Sequence, residues 1–452
     1  MKRTLLKEDA KVFSNSQLRG LILPFFLEQL LNMTVGVADT FMVSFAGDAA
    51  VSGVSLVNML AVFFLYVFTA LASGGAVVVS QYIGGKNGRG AEHSAGQLLM
   101  ISTMVSALCS AAILTWNREI LQLLFGRVEK SVMQACMTYQ RISAYSFAAL
   151  GIYNAGAAVR RSEGKTSVTL KIAVFSNIVN VAGNALGIFV FRAGVAGVAW
   201  PTVIARVFSA VAVTCFCLRP GNGVRYTKSD VFSYDSAAVK KILHIAVPNS
   251  VENGTFQLIK VALSSITAMF GTAQITANGI AQSLWSLAAL VVMTMGPVYI
   301  TVIGQCMGAG DVQDAERYFR KLTRITLLCA VAWNSLILAL TPLAMRFYPL
   351  SGEIRRMVIE LVLIHNVFNA LVWPFGGALP NGLRAAGDVK YTMKVAVLST
   401  VCVRLALSVV LSVWMRMGVF GIAWAMVCDW IVRGVLYVIR YRRGQWKTMR
   451  VI

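Results

Sequence analysis

Apolar runs of about twenty residues, each closed by a short polar break, recur along the whole chain and leave few folds open. As a helix, a run of that length crosses the roughly 30 Å hydrocarbon layer of a bilayer. In lipid every backbone N–H and C=O must be paired internally, which leaves helices or closed barrels. These runs are too long and too uniformly apolar for barrel strands. Twelve can be placed: 20–44, 53–79, 95–116, 133–158, 168–190, 195–218, 242–268, 274–303, 322–341, 357–380, 392–415 and 418–438. Composition agrees, with 57% hydrophobic and 13% charged residues and a mean hydropathy of +0.68. A soluble globule carries about 25% charge. The fold class expected is an all-α polytopic membrane protein with twelve transmembrane helices.

The chain also repeats itself. Gln81, Gly84, Ala91 and Glu92 return 224 positions later as Gln305, Gly308, Ala315 and Glu316. Pro24 and Glu28 return as Pro248 and Glu252, Arg160 as Arg384, and GVAGVAW (194–200) as GVFGIAW (418–424). One register through segments so far apart marks two copies of one unit. Six spans per copy give both the same orientation, so the repeats are expected to be parallel. The predicted organisation is a six-helix lobe at 1–218, a polar linker at 219–241, and a second six-helix lobe with a basic tail at 242–452.

The net charge of +22 raises nucleic acid as a partner, but most of the Lys and Arg fall in alternate loops, the bias that orients membrane proteins. That places the protein in the cell (inner or plasma) membrane with both termini cytoplasmic. The basic start of the chain lacks a cleavage site, so the first run is expected to stay as a span. No Lys/Arg face alternates with exposed aromatics, which argues against nucleic acid. The eight cysteines are scattered and mostly apolar in context, and His93, His244 and His365 stand far apart. Neither a disulfide framework nor a metal site is expected. The loop GGKNGRG (84–90) lacks the GxxxxGK[ST] pattern of a nucleotide site. No enzyme, catalytic residue or cofactor is therefore expected, and transport would draw on an ion gradient. The partners expected are membrane lipid and a small organic molecule, with the protein acting as a monomer.

Ionisable groups inside apolar runs are costly and point to sites. Asp39, late in the first run, is the foremost and could bind a cation or carry a proton. Asn177, Asn180 and Asn184 form a stripe at i, i+3 and i+7 that could coordinate an ion with it; interhelical hydrogen bonding is the competing reading. Glu28 and Glu252, each four residues after a proline, read either as coupling groups or as structural ones near a helix end. Lys260, two turns beyond Glu252, could balance a carboxylate or repel a cation. Asp429 and Arg433, at i,i+4, read as a structural pair. Glu360 and His365 are placed near an outer mouth, with His365 a candidate titrating group. Arg141, Arg206 and Arg404 have no partner at local spacing. Pro24, Pro201, Pro248, Pro297 and Pro374 could bend or interrupt spans.

These residues carry a resemblance. ILPFFLEQLLNMTVGVADTFMVSFAG (22–47), VVVSQYIGGKNG (77–88), IAVPNSVENGTFQLIK (245–260) and LPNGLRAAGDVKYTMKVAV (379–397) resemble the multidrug and toxic compound extrusion (MATE) family. The resemblance implies two six-helix lobes, N-lobe and C-lobe, around a central cleft. It also implies export of cationic or amphipathic drugs and toxic organic compounds in exchange for Na⁺ or H⁺. Asp39 matches the family's first-span aspartate and Asn180 an asparagine of the same cation site. Asn184 stands where many members have a second aspartate. Some members pair a seventh-span glutamate with a tenth-span aspartate; here the tenth span has none, so a site at Glu252 would be incomplete. Two other readings stay open from sequence: a lipid-linked-saccharide flippase of related fold, which would gather Arg141, Arg206, Lys260 and Arg404 around one cavity, and an uncoupled channel or scaffold.

Overall fold

The structure, a computed structural model, describes residues 13–452 other than 127, 220, 222, 347 and 349. The leader cations Lys2, Arg3, Lys7 and Lys11 lie outside the described residues. Every regular element among those described is helical. In order they are α1 (Asn15–Ser44), α2 (Asp48–Gly84), α3 (Gly88–Thr115), α4 (Asn117–Phe125), α5 (Lys130–Ala144), α6 (Phe147–Ser162), α7 (Thr166–Ala185), α8 (Ala196–Leu218), α9 (Lys228–Phe232) and α10 (Ser236–Ala268). Then follow α11 (Thr272–Ala288), α12 (Leu290–Gly308), α13 (Val312–Ala344), α14 (Gly352–Leu371), α15 (Leu379–Ala385), α16 (Val389–Leu398), α17 (Ala406–Val409) and α18 (Val419–Arg443). Wider π-helical turns extend α7 (Leu186–Val190), precede α15 (Pro374–Ala378) and flank α17 (Ser399–Leu405, Val410–Trp414).

Contacts divide the chain into two units, Asn15–Val247 and Pro248–Ile452, the second joined by residues 13–14. The division falls inside α10. The sequence repeat recurs in the backbone. The π segments Leu186–Val190 and Val410–Trp414 lie 224 positions apart. So do Arg192 (φ 50°) and Arg416 (φ 55°), left-handed conformations uncommon for a non-glycine residue. Asn87 caps α3 by accepting from Gly90 N (2.8 Å), and its mate Asp311 caps α13 by accepting from Asp314 N (2.9 Å). Gly187 and Gly197 bring α7's extension and α8 into backbone contact; a Cβ on Gly187 would lie 2.1 Å from the Gly197 carbonyl oxygen. The mate Gly421 meets Ser412 in the same way. Small residues allow such close approach between membrane helices.

Each unit has its own apolar core. In the first, Val54 and Val57 of α2 pack with Cys136 and Tyr139 of α5 and Val198 and Val203 of α8. In the second, Ala277 and Ala281 of α11 pack with Val358, Leu361 and Val362 of α14 and Ala423 of α18. Large apolar side chains also point outward: Leu108, Phe191, Leu258, Leu328 and Trp414 are each at least 67% exposed. Such an outer surface suits lipid.

Among the described residues, nine helices are long and apolar enough to cross a membrane, or eleven if each bent pair is one span. The bent pairs are α5 with α6 (48°) and α14 with the Pro374–Ala385 segment (59°). The chain is thus an all-α polytopic membrane protein. The expected run at 242–268 is the one the criterion does not reach. Its helix, α10, has 33 residues, but Asn249, Glu252, Asn253, Gln257 and Lys260 make it too polar. Of the five prolines, Pro24, Pro201, Pro248 and Pro297 lie inside continuous helices. Pro374 stands at a break.

Candidate functional site

Helices α1 and α7 lie side by side in the first unit, joined by polar rungs. Thr169 Oγ1 donates to Glu28 Oε2 (2.6 Å), Asn177 Nδ2 to Asn32 Oδ1 (3.0 Å), and Asn184 Nδ2 to Asp39 Oδ1 (2.7 Å). The last two rungs share one sequence separation, as parallel helices require. Asn180, one turn before Asn184, also reaches the carboxylate. With its amide nitrogen toward Asp39 it donates to Oδ1 (2.9 Å) and accepts from Thr202 Oγ1 of α8 (3.1 Å), which satisfies both ends. Asp39 is half-buried, and Asn180 and Asn184 are buried. Asn184 Oδ1 is buried with no hydrogen-bond partner among the described residues.

Asn177 is not brought to Asp39. The seven residues to Asn184 span about 10 Å of helix rise, so Asn177 meets Asn32, which precedes Asp39 by the same interval. Three further groups surround the carboxylate without having been singled out for it: Thr202, Tyr139 and Arg206. Arg206 Nη1 donates to Ser146 Oγ (2.8 Å), and its charge acts on Asp39, whose own charge reaches Tyr139. Thr202 and Arg206 stand at i,i+4 just after Pro201, a polar pair at helical spacing that could have been read from the sequence.

Both repeat glutamates are paired with arginines. Glu28 is 1% exposed and closed off by its partners. It accepts from Arg161 Nη2 (2.6 Å), Thr169 and Tyr153 Oη (3.4 Å), and Arg161 also stacks over Phe25. Glu252 accepts from Arg384 Nη2 (2.6 Å). Lys260 does not pair with Glu252; it is exposed, with no carboxylate at ion-pair distance among the described residues. Asp429 and Arg433 form a buried pair (2.8 Å) that Ser399 and Thr400 complete. Glu360 pairs with Arg356 at the surface (2.8 Å), whereas His365 is 1% exposed. The four cations of the flippase reading divide among surroundings: Arg141 lines an open groove between α4 and α5, Arg206 stands near Asp39, and Lys260 and Arg404 belong to the second unit.

The segment 219–241 is docked rather than loose. Asp230 accepts a two-pronged bond from Arg89 (2.8 and 2.9 Å) and faces His93 Nδ1 (3.0 Å), while Asp235 faces His93 Nε2 (2.9 Å). Burial would raise the Asp230 carboxyl, but the bonds from Thr227, His93 and Arg89 outweigh it and hold it below the usual aspartate range.

The family model described as MatE matches residues 24–186 and again 248–410. The chain belongs to the MatE family. Its two matches stand 224 positions apart, so the family unit and the internal repeat coincide. As a MatE protein it is a secondary transporter of multi-pass membrane type, not an enzyme. Among relatives, the Uncharacterized transporter YisQ of Bacillus subtilis is 26% identical over 450 residues, covering 98% of this chain and 97% of its own. The Probable multidrug resistance protein NorM of Thermotoga maritima is 22% identical over 443 residues, covering 96% of this chain and 94% of its own. A crystal structure of MATE in complex with MaL6 superposes with a TM-score of 0.89 at 18% identity, covering 96% of this chain and 97% of that one. The fold is therefore shared, and Asp39, Asn180 and Asn184 lie within the first matched stretch.

Proposed function

We propose that this MatE protein is an antiporter that exports cationic or amphipathic organic compounds in exchange for Na⁺ or H⁺, with Asp39, Asn180 and Asn184 as its cation site. The supporting observation is one carboxylate held between two amide groups on the neighbouring helix, with an unpartnered Asn184 carbonyl beside it. An ionised Asp39 draws amide N–H groups toward itself. A bound proton or Na⁺ removes that demand, and Na⁺ calls for amide oxygens instead. Either ion therefore reorients Asn180 and Asn184 on α7, immediately before its π-helical extension at Leu186–Val190. Wide turns of this kind recur at functional sites. Ion binding thereby favours one of two conformations, and coupling follows if substrate favours the other.

Twelve spans, six in each lobe, are the count this reading uses, with α10 as the twelfth. Its polar residues then face protein or water instead of lipid. An even number returns both termini to one side, the cytoplasmic one by charge bias. The names of several relatives, such as the multidrug resistance protein of Thermotoga maritima, support the substrate class. The test is export of a lipophilic cation from proteoliposomes under separate Na⁺ and H⁺ gradients. The expectation is export driven by one of them and lost in Asp39→Asn. Export indifferent to both gradients overturns the antiport reading; a fully active D39N overturns the site.

A further inference from the structure

The positions that build the Asp39 cluster have mates 224 residues later, and their chemistry is inverted. Asp39 is replaced by Leu263, Asn180 by Arg404, Asn184 by Ser408, Thr202 by Met426 and Asn32 by Phe256. Arg404 is 6% exposed. Its guanidinium donates to the Met426 thioether (Nη2–Sδ 3.1 Å) and lies over the Phe256 ring (5.0 Å to the centroid). A thioether is a weak acceptor, and Nε has no hydrogen-bond partner among the described residues. The charge of Arg404 acts on both Lys260 of α10 and His365 of α14. The acid nearby, Asp429, is bound by Arg433 through Oδ1 and is not at ion-pair distance from Arg404, although its charge reaches it.

Several other buried polar atoms on these helices also lack partners among the described residues. They include both ring nitrogens of His365, both side-chain heteroatoms of Asn366, Asn369 Oδ1, Ser408 Oγ and Asp429 Oδ2. A buried guanidinium without an ion-pair partner is strongly unfavourable; Arg404 has none among the described residues, and neither does the exposed Lys260. A buried aromatic cluster backs Met426: Trp285 and Trp430 stack (6.0 Å, 21°), with Trp373 5.1 Å from Trp430.

The geometry points to an oxyanion-binding site in the second unit, in which Arg404, with Lys260 and His365, receives the acidic group of an amphiphile. An organic carboxylate and a lipid phosphate present the same acceptor chemistry, and the experiment separates them. The inference goes beyond the antiport reading, and its readout is equilibrium binding without any gradient, so either can fail alone.

The purified full chain is placed in nanodiscs of phosphatidylcholine. Rhodamine B, which carries a carboxylate, is titrated beside its ethyl ester, which keeps the rings and the positive charge. The expected result is that Arg404→Gln weakens rhodamine B binding about tenfold or more, leaves the ester within about twofold, and Arg404→Lys recovers part of the loss. Lys260→Met is the second variant; its exposed side chain makes it tolerant, and a smaller loss confined to the acid is expected, which carries the test if R404Q does not fold. Repetition with phosphatidylglycerol assigns the source: undisturbed acid binding indicates a soluble organic anion, and competition that vanishes in the Arg404 or Lys260 variant indicates a lipid headgroup. Equal losses for acid and ester, or no loss for either in both variants, overturn the proposal.

Discussion

The centre around Asp39 and its mate around Arg404 occupy the same repeat positions on the same backbone, yet one presents a carboxylate and the other a guanidinium. The shared part is the scaffold: π-helical turns at Leu186–Val190 and Val410–Trp414, left-handed Arg192 and Arg416, and glycine contacts at Gly197 and Gly421. The Glu–Arg pairs take a middle course. Both units keep the glutamate after the helix proline, but Glu28 is held by Arg161, whereas Glu252 is held by Arg384, the mate of Arg160. Repetition thus fixes how the helices pack and leaves the polar centres free to diverge. A buried ion pair can change partner because the glutamate requires only a positive group in reach, but a site that binds an ion requires a specific set of atoms.

The comparison is broken most completely by Asp39→Asn. If the two centres differ in role as they do in charge, ion-driven export falls about tenfold or more, since each tenfold of coupling corresponds to about 1.4 kcal/mol of differential ion affinity. The melting temperature in detergent changes little, because an asparagine still bonds to Asn184. Loss of fold in D39N would instead make the carboxylate structural.

Next come the ion pairs. Arg161→Met leaves Glu28 buried beside Tyr153 and Thr169 and costs about 3–5 kcal/mol, the range for a buried charge deprived of its partner. Arg384→Met is expected to cost less, because the Glu252 side chain retains 17% exposure against 1% for Glu28. Thermal unfolding of both variants measures the difference. Glu28→Gln combined with R161M recovers most of the loss if the unpaired charge is the cause.

Gly197→Ala and Gly421→Ala test the scaffold itself. A Cβ at Gly197 would meet the Gly187 oxygen at 2.7 Å, and one at Gly421 would meet Ser412 N at 2.5 Å. These contacts are to backbone and cannot rotate away, so each substitution is expected to cost about 1–3 kcal/mol. Equal costs support a common scaffold; a large effect in one unit alone sets the units apart in packing as well as in chemistry.

Much of the scaffold was legible in the sequence, because apolar run length and a constant repeat offset report directly on spans and packing. The partners were less so. Periodicity places Asn177, Asn180 and Asn184 on one face of α7, but which of them meets Asp39 depends on how far α1 is shifted along α7. The pairings of Asn32 with Asn177 and of Asp39 with Asn184 show that shift. Lys260 and Glu252 looked like neighbours along one helix, whereas Lys260 is influenced by Arg404, far away in the chain. The apolar residues of 242–268 suggest a span, whereas the polar residues of α10 keep that helix below the apolarity the other spans reach. The docking of 219–241 had a faint signal at most, since Asp230 and Asp235 look like ordinary linker acids until α3 supplies Arg89 and His93.

That docking gives the smallest effect and a last contrast. The segment after α8 is held to α3 by charge through Asp230. The segment after α18, the mate of α8, is held to α13 partly by Trp446. Its fully buried ring packs on Phe319 (4.8 Å) and Tyr441 (5.8 Å), and Lys447 adds a bond to Glu316 (2.6 Å). Because the Asp230 carboxyl is held below its usual range in the folded state, its stabilisation is fully present above the unfolded value of about 3.9. It fades as pH falls through the lower folded value. Arg89 is largely exposed, so solvent screening keeps the contribution to about 1 kcal/mol or less. Limited proteolysis with an acid-active protease between pH 6 and about pH 3 is expected to cut the 219–241 segment progressively faster. Asp230→Asn should be cut faster at pH 6 and show a flatter pH response, while cutting after α18 changes less because the non-titrating Trp446 ring remains packed when the exposed Glu316–Lys447 pair is lost. Equal acid sensitivity at both places would mean that neither segment is held in the manner described.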